Sequence, residues 1–432
     1  MNIRKIFQAK ENRVLGENIF SLGLLNIVNY IFPLLIIPHL TRTLGRENYG
    51  LYAFATVVVG YIALFIRYGF DLSVTKEIAL VRTDHEAVRR IFWRAIGARM
   101  ILCCLGSVVL GILVLVAPQM REHALLFCCG ILLLVDMVLM PTWLFQGMET
   151  MKIIAILNFL MKGSSFFLIV FLVKHQDECV WAFFLYCISF FLGGILGFII
   201  AVWKFSLWPM WIPFPEILKM LYDGWHVFAA CIGSSFCREG YVVVIGFTTN
   251  YQVVGYYFAA SKCIGAVQSL CNIPIMQGLY PYMSRKLSTT GRTEGGTRIY
   301  RLIGIAYAFF MLLVTISCFA VSGWFITWYL GAEYAPVIID VRILSPIILI
   351  SGLNYYCGIV GLINLGYQKE FAKFVWISGA VGIMFCVVLS YFYQDQGAAW
   401  AMLLSELILL AFVGNMLYKI TNSNHRKLIG SE

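Results

Sequence analysis

Twelve long apolar runs fill this chain almost end to end, and no water-soluble fold could hide that many of them. A bilayer core of about 30 Å asks for a helix of roughly 20 apolar residues. The runs fall near 18–40, 50–70, 92–117, 124–145, 151–173, 180–203, 225–248, 253–280, 300–325, 338–364, 371–393 and 398–418. The cations between them are lopsided. With the N-terminus inside, the inside segments and adjoining span ends hold 21 Lys and Arg. The outside loops hold 4: Arg42, Arg46, Arg121 and Lys174. By the positive-inside rule both termini are expected in the cytoplasm.

The chain is 61% hydrophobic and 12% charged, and its mean hydropathy is +0.83, which excludes an ordinary soluble domain. Its net charge of +10 is spread over the inside loops, so it reads as a topology signal beside an anionic leaflet and not as a nucleic-acid footprint. Most of the 13 Cys fall inside apolar runs, with no metal-ligand spacing, and disulfides are not expected. The first run is too long for a signal-peptide core and no small-residue cleavage site follows it, so it is expected to stay as a helix. The longest loops, near 71–91, 204–224 and 281–299, cannot hold a catalytic or nucleotide-binding domain. No Gly-Lys-Ser/Thr phosphate loop occurs, so neither ATP nor any cofactor is expected.

Residues 204–223 mix Trp, Pro and Lys with apolar residues, which suits a segment lying in the membrane interface or a plain linker. Tyr49-Gly50-Leu51-Tyr52-Ala53-Phe54-Ala55 opens the second run, and Val254-Gly255-Tyr256-Tyr257-Phe258-Ala259-Ala260 opens the eighth. That spacing of six runs suggests duplicated halves in the same orientation. The expected fold is therefore an all-α membrane protein of about twelve helices in two six-helix bundles. Residues 1–203 and 225–432 form the bundles, 204–224 forms an amphipathic cytoplasmic linker, and the substrate path runs between the bundles.

Chemistry must come from polar groups at membrane depth. Seven cations lie within runs: Arg67, Arg94, Arg99, Lys162, Arg238, Lys262 and Arg342. Arg67, Arg94 and Arg342 sit near run ends and can snorkel. Lys162, Arg238 and Lys262 lie deeper and Arg99 is intermediate; each costs about 2.5–3.5 kcal/mol at a helix centre. Three acids are similarly placed: Asp136, Glu239 and Glu406. They are candidates for ion coupling or for pairing, such as Arg238 with Asp136. Polar stripes recur at helical spacing: Asn158, Lys162 and Ser165; Ser234, Arg238 and Tyr241; and, less strictly, Phe258, Lys262 and Ser269. Asn26, Asn29 and Pro33 form a fourth. Such stripes can be helix–helix glue or can line a cavity. A cationic cavity suits an anionic cargo, because Lys and Arg hold phosphate oxygens. The expected binding set is Arg238, Lys262, Lys162 and Arg99, with Asn26, Asn29, Asn158 and Ser234 as polar lining.

The run Pro141-Thr142-Trp143-Leu144-Phe145-Gln146-Gly147-Met148-Glu149, followed by Met151-Lys152-Ile153-Ile154-Ala155, resembles the end of the fourth helix of Wzx-type polysaccharide flippases. These belong to the multidrug/oligosaccharidyl-lipid/polysaccharide exporter superfamily. Leu44-Gly45-Arg46-Glu47-Asn48-Tyr49-Gly50 is similar to it, as is Tyr68-Gly69-Phe70-Asp71 with Thr75-Lys76-Glu77-Ile78-Ala79. So are Gly224-Trp225 with Val254-Gly255-Tyr256-Tyr257, and Arg342-Ile343-Leu344-Ser345. Cys237-Arg238-Glu239-Gly240 departs from the small neutral polar residues usual there. The resemblance implies a non-enzymatic flippase of the bacterial inner membrane. It would pass an undecaprenyl-diphosphate-linked oligosaccharide from the cytoplasmic to the periplasmic leaflet by alternating access, for O antigen or a related surface polysaccharide such as lipopolysaccharide. Cavity cations would hold the diphosphate, and H⁺ or Na⁺ would couple through Asp136, Glu239 or Glu406. Partners would be the cargo, the bilayer and other polysaccharide assembly proteins, with no nucleic acid. A drug exporter of the same superfamily would not require several cavity cations. A polysaccharide polymerase would be expected to carry a large outside loop or paired carboxylates, and neither is present.

Overall fold

The computed structural model describes residues 3–274 and 294–429, with side chains over 28–229 (Tyr30 apart), 239–272 and 300–420. Among the described residues every regular element is helical and no strand occurs. Among the same residues eight helices are long and apolar enough to cross a membrane by length and composition. Two of these carry an internal break and so span two of the expected runs each.

The chain divides into two compact units, Met1–Ile232 and Gly233–Glu432. The division falls inside a helix, eight residues beyond the expected bundle edge at 224/225. Aromatic packing explains the shift. Tyr68 stacks on Phe228 with centroids 4.5 Å apart, and its hydroxyl donates to the Leu221 carbonyl at 2.9 Å. The first turns of that helix are thereby drawn into the first unit.

In the first unit, α1 (Ile3–Arg67) is two helices run together across Gly45, at φ 73°, a conformation glycine takes at little cost. Then follow α2 (Phe70–Val81), α3 (His85–Val116), α4 (Pro118–Arg121), α5 (Ala124–Leu139), α6 (Thr142–Gly147), α7 (Met151–Leu172), α8 (Cys179–Lys204) and the start of α9 (Phe214–Thr248). Asp84 caps α3 by accepting from the Ala87 N–H at 3.1 Å. The expected run 124–145 is broken into α5 and α6 because Pro141 supplies no N–H. The seam between α5 and α8 is close: a Cβ on Gly194 would collide with the Asp136 carboxylate.

The second unit holds the rest of α9, α10 (Tyr251–Pro274), α11 (Glu294–Leu330), α12 (Val337–Leu344), α13 (Pro346–Tyr355), a π-helix at Tyr356–Ile363, and α14 (Gln368–Ile429) bent at Gln394. The expected run 338–364 is thus three pieces. A new helix starts at Pro346, and the π-turn brings Gly358 and Gly361 against the rings of Phe371 and Tyr300. The segments 49–55 and 254–260 are each buried throughout, in their own units. A stretch that opens a helix and is buried on all faces must be apolar and small on every side, which is why the two read alike.

The 204–224 segment packs on the first unit. Between α8 and α9 the chain is unwound, so its carbonyls lack helical partners, and α3 supplies them. His85 Nε2 bonds the Phe205 carbonyl at 2.8 Å, and Arg89 donates to the carbonyls of Trp208 and Pro209 at 2.7 and 2.8 Å. Trp93 Nε1 donates to the carbonyls of Leu207 and Trp208. Arg90 then clamps Glu216 with two bonds, at 3.1 and 2.5 Å. Trp211 is left 92% exposed and Tyr222 83%, so this strap carries an aromatic outer face.

Candidate functional site

Lys162, on α7, donates to the Asn29 side-chain oxygen on α1 at 2.7 Å and lies 3.5 Å from the Asn29 carbonyl. Both residues are half-buried. Phe32 closes the same seam, edge-on to Phe159 at 5.6 Å and above Gly163. Asn158 is occupied by its own helix, donating to the Ile154 carbonyl at 3.0 Å, and Ser165 is 2% exposed. The stripe therefore turns from a half-open lysine into the packed interior within one turn.

In the second unit, Lys262 on α10 is 39% exposed, stands 3.6 Å from Glu239 on α9, and lies over the Phe258 ring at 4.9 Å. A partner that is itself 54% exposed leaves the ammonium reachable. Glu406 accepts from the Asn354 amide at 2.7 Å, and the same amide reaches the Glu406 carbonyl at 2.9 Å. Sequence reasoning missed Asn354, which is 4% exposed and pins α13 to α14. The side chains of Asn26, Ser234 and Arg238 lie outside the described residues, as does the expected pairing of Arg238 with Asp136.

Arg99 is not on a cavity wall: it is 2% exposed. Its guanidinium donates to the carbonyls of Met137 and Met140 at 2.8 and 3.2 Å and to Asp71 Oδ1 at 3.3 Å. The rings of Phe70 and Trp143 flank it at 5.9 and 5.8 Å. The cause is Pro141. A residue there with an N–H would have bonded the Met137 carbonyl; proline cannot, and Arg99 takes its place. Thr142 donates to the same Asp71 oxygen at 2.8 Å. Thr75 of α2 donates to the Trp143 carbonyl at 3.2 Å and reaches Gln146 at 3.3 Å. Two of the stretches quoted for the flippase resemblance thus meet in one polar joint. The signal available in the sequence was a proline ending an apolar run that a buried arginine could cap.

Asp136 is 1% exposed, faces Gly194, and its Oδ1 meets no donor. Arg342 donates to the Ser322 hydroxyl at 3.2 Å and lies over Phe319. Arg94 is bonded to Glu77. Among the described residues no cluster could hold a metal ion, and the cysteines are free. The structure brings together two lysine pairs, Lys162–Asn29 and Lys262–Glu239, one in each unit, and sets Arg99, Asp136 and Glu406 into the packing.

A family model described as polysaccharide biosynthesis protein matches residues 15–287, more than half of the chain. Two relatives named as O-antigen transporters align along nearly their whole length. One, from Escherichia coli K12, is 29% identical over 93% of this chain and 97% of its own. The other, from Shigella dysenteriae, is 26% identical over 92% and 98%. Among solved structures, an inward-facing multidrug resistance MATE family transporter of the MOP superfamily superposes with a TM-score of 0.69 at 12% identity, over 95% of this chain and 99% of its own. The lipid II flippase MurJ in an inward closed conformation gives 0.65 at 13% identity, over 94% and 87%. At such identities the structural likeness speaks to the fold alone.

Proposed function

This chain belongs to the polysaccharide biosynthesis protein family, and from that premise we propose that it flips a lipid-linked oligosaccharide across the bacterial inner membrane. The end-to-end match to relatives named as O-antigen transporters carries this reading. The fold shared with a lipid II flippase agrees with it. The cargo would be an undecaprenyl-diphosphate-linked repeat unit, moved from the cytoplasmic to the periplasmic leaflet by a twelve-span chain with both termini inside. No covalent step is needed.

In this reading Lys162 and Lys262 are the diphosphate contacts. Lys162 reaches the Asn29 amide oxygen at 2.7 Å and Lys262 stands 3.6 Å from a half-exposed carboxylate, so each ammonium is a full charge set among polar groups. A phosphate oxygen is the acceptor that such a charge-assisted donor holds most strongly. Arg238 remains a third candidate on the same grounds of depth. Arg99 serves the reading differently, by fixing the joint of α2, α3, α5 and α6. Coupling to H⁺ or Na⁺ and contact with other assembly proteins belong to this proposal as well.

Leaflet-selective labelling of the glycan in cells lacking this protein tests the reading. Cargo should build up on the cytoplasmic face. Wild-type protein should relieve it, and a Lys162→Ala, Lys262→Ala double variant that reaches the membrane should not. Build-up on the periplasmic face instead would overturn the flippase reading. Drug extrusion in place of glycan movement would favour the exporter that shares this fold.

A further inference from the structure

Neither Asp340 nor Asp395 has any part in the site above, and their geometry calls for an explanation. Asp340, in α12, is 0% exposed, and neither of its carboxyl oxygens meets an N–H or O–H donor of the protein. A bare carboxylate in that position would lack all solvation, at a cost no packing offsets. The carboxyl it touches belongs to Asp395, which is 8% exposed and lies at the bend of α14, the element against which α12 packs. Asp395 is supplied differently. It accepts from its own N–H and from that of Gln396. Those amides are turned towards it by Gln394, a non-glycine residue held at φ 52° and ψ −124°.

Among the described residues no Lys, Arg or His forms an ion pair with either carboxyl. On the elements packed against α12, Lys262 of α10 is held by Glu239 and Phe258. Arg342 of α12 itself is held by Ser322 and Phe319. The other described charges nearby in sequence are Arg301 of α11, Glu333 of the turn before α12, and Lys369, Glu370, Lys373, Glu406 and Lys419 of α14, and none is paired with Asp340. Two carboxyls in hydrogen-bond contact cannot both be ionised, because like charges at that distance repel strongly in a dry site. The asymmetry of donors assigns the roles: Asp395 accepts, and Asp340 has nothing to accept.

We propose that Asp340 and Asp395 share one proton, carried on Asp340, which forms a clasp between α12 and the bend of α14 that opens when the proton leaves. Asp340 stands two residues into one expected span and Asp395 lies between two others, so both fall at the same end of the second unit. With the orientation proposed above, that is the periplasmic end, and the proton exchanges with that compartment. The clasp itself does not depend on what the protein carries.

The test uses purified full-length protein in detergent, without cargo, so its outcome is separate from that of the flippase reading. The infrared carbonyl stretch of a protonated carboxyl should be present in wild type at neutral pH and lost in Asp340→Asn. Thermal unfolding should show the wild type losing several degrees as pH rises past the point where that band disappears. Asp340→Asn should hold its melting temperature over the same range, because an amide N–H replaces the proton and does not dissociate. If Asp340→Asn fails to fold, Asp395→Asn serves: the band should remain, because the proton sits on Asp340, but should move in frequency as its acceptor changes from a carboxylate to an amide oxygen. A band that survives Asp340→Asn or is unmoved by Asp395→Asn, or an Asp340→Asn profile parallel to wild type, would overturn the clasp.

Discussion

Arg99 donates at 2.8 Å to the carbonyl of Met137, the one backbone acceptor that Pro141 leaves without an N–H. An arginine at membrane depth is thereby spent on a helix end. Arg99→Met should lower stability by on the order of 3 kcal/mol, the lower end for breaking a buried pair, since Asp71 is 35% exposed and keeps some solvent. Thr142→Val should cost only about 1 kcal/mol, since it removes one neutral donor. Thermal unfolding of the purified variants measures both. A cost for Arg99→Met no larger than for Thr142→Val would mean that the joint is held by its aromatic rings alone.

Lys262 and Glu239 make a different prediction. Glu239→Gln leaves Lys262 without its carboxylate, so the lysine should hold a diphosphate more tightly, by up to roughly tenfold if the released interaction is about 1.4 kcal/mol. Lys262→Ala should weaken binding to a comparable extent or more. Titration of purified protein with undecaprenyl diphosphate distinguishes the two signs. Weaker binding by Glu239→Gln would place the carboxylate, and not the amine, against the cargo.

The fold was legible because its governing force is written locally. A run of roughly 20 apolar residues has few options in a bilayer, and 21 cations against 4 favour one orientation. The site was half legible, since helical spacing finds a stripe but carries no rotational reference. Lys162 and Arg99 look alike in sequence, each a cation among apolar neighbours. One meets a neutral asparagine from a helix 133 residues away, and the other meets carbonyls freed by a proline. Asp340 was invisible for the same reason: only the return of α14 puts Asp395 against it.

Gly194 tests the α5–α8 seam. Gly194→Ala places a methyl against Asp136, and the overpacking should cost about 1–3 kcal/mol. Asp136→Asn alone keeps the shape and removes a buried carboxyl whose Oδ1 has no donor, so it should be tolerated. If the alanine variant melts like wild type, the seam is looser than its geometry.

The strap at 204–224 should respond to pH and salt through Arg90 and Glu216. Arg90 holds the Glu216 carboxyl below the ordinary carboxylate range, by hydrogen bond first and by charge second. A lowered carboxylate value means that the contribution is complete above the ordinary value of about 4.3 and is lost as pH falls through the lowered one. Docking should therefore be unchanged from pH 8 to about 5 and weaken only in stronger acid or at high salt. Arg89→Ala with Trp93→Phe should loosen it at every pH, because those side chains serve bare carbonyls. Limited proteolysis between Phe205 and Pro213 reads the docking. Equal protection in that double variant would show that the carbonyl bonds contribute nothing.

Orientation can be read directly, because the two sides of the first unit offer well-separated exposed positions. Trp211 is on the strap, in a segment expected inside, and Asp177 follows Lys174 in a loop expected outside. In a background lacking the reactive native cysteines, Asp177→Cys should be modified by an impermeant thiol reagent added to spheroplasts. Trp211→Cys should be modified only after the membrane is opened. Both outcomes follow from the cation count alone, since neither residue is itself charged positively. The reverse pattern would invert the chain, place the strap and its exposed tryptophan in the outer leaflet, and move the Asp340–Asp395 clasp to the cytoplasmic side. It would leave the proton between the two carboxyls where it is.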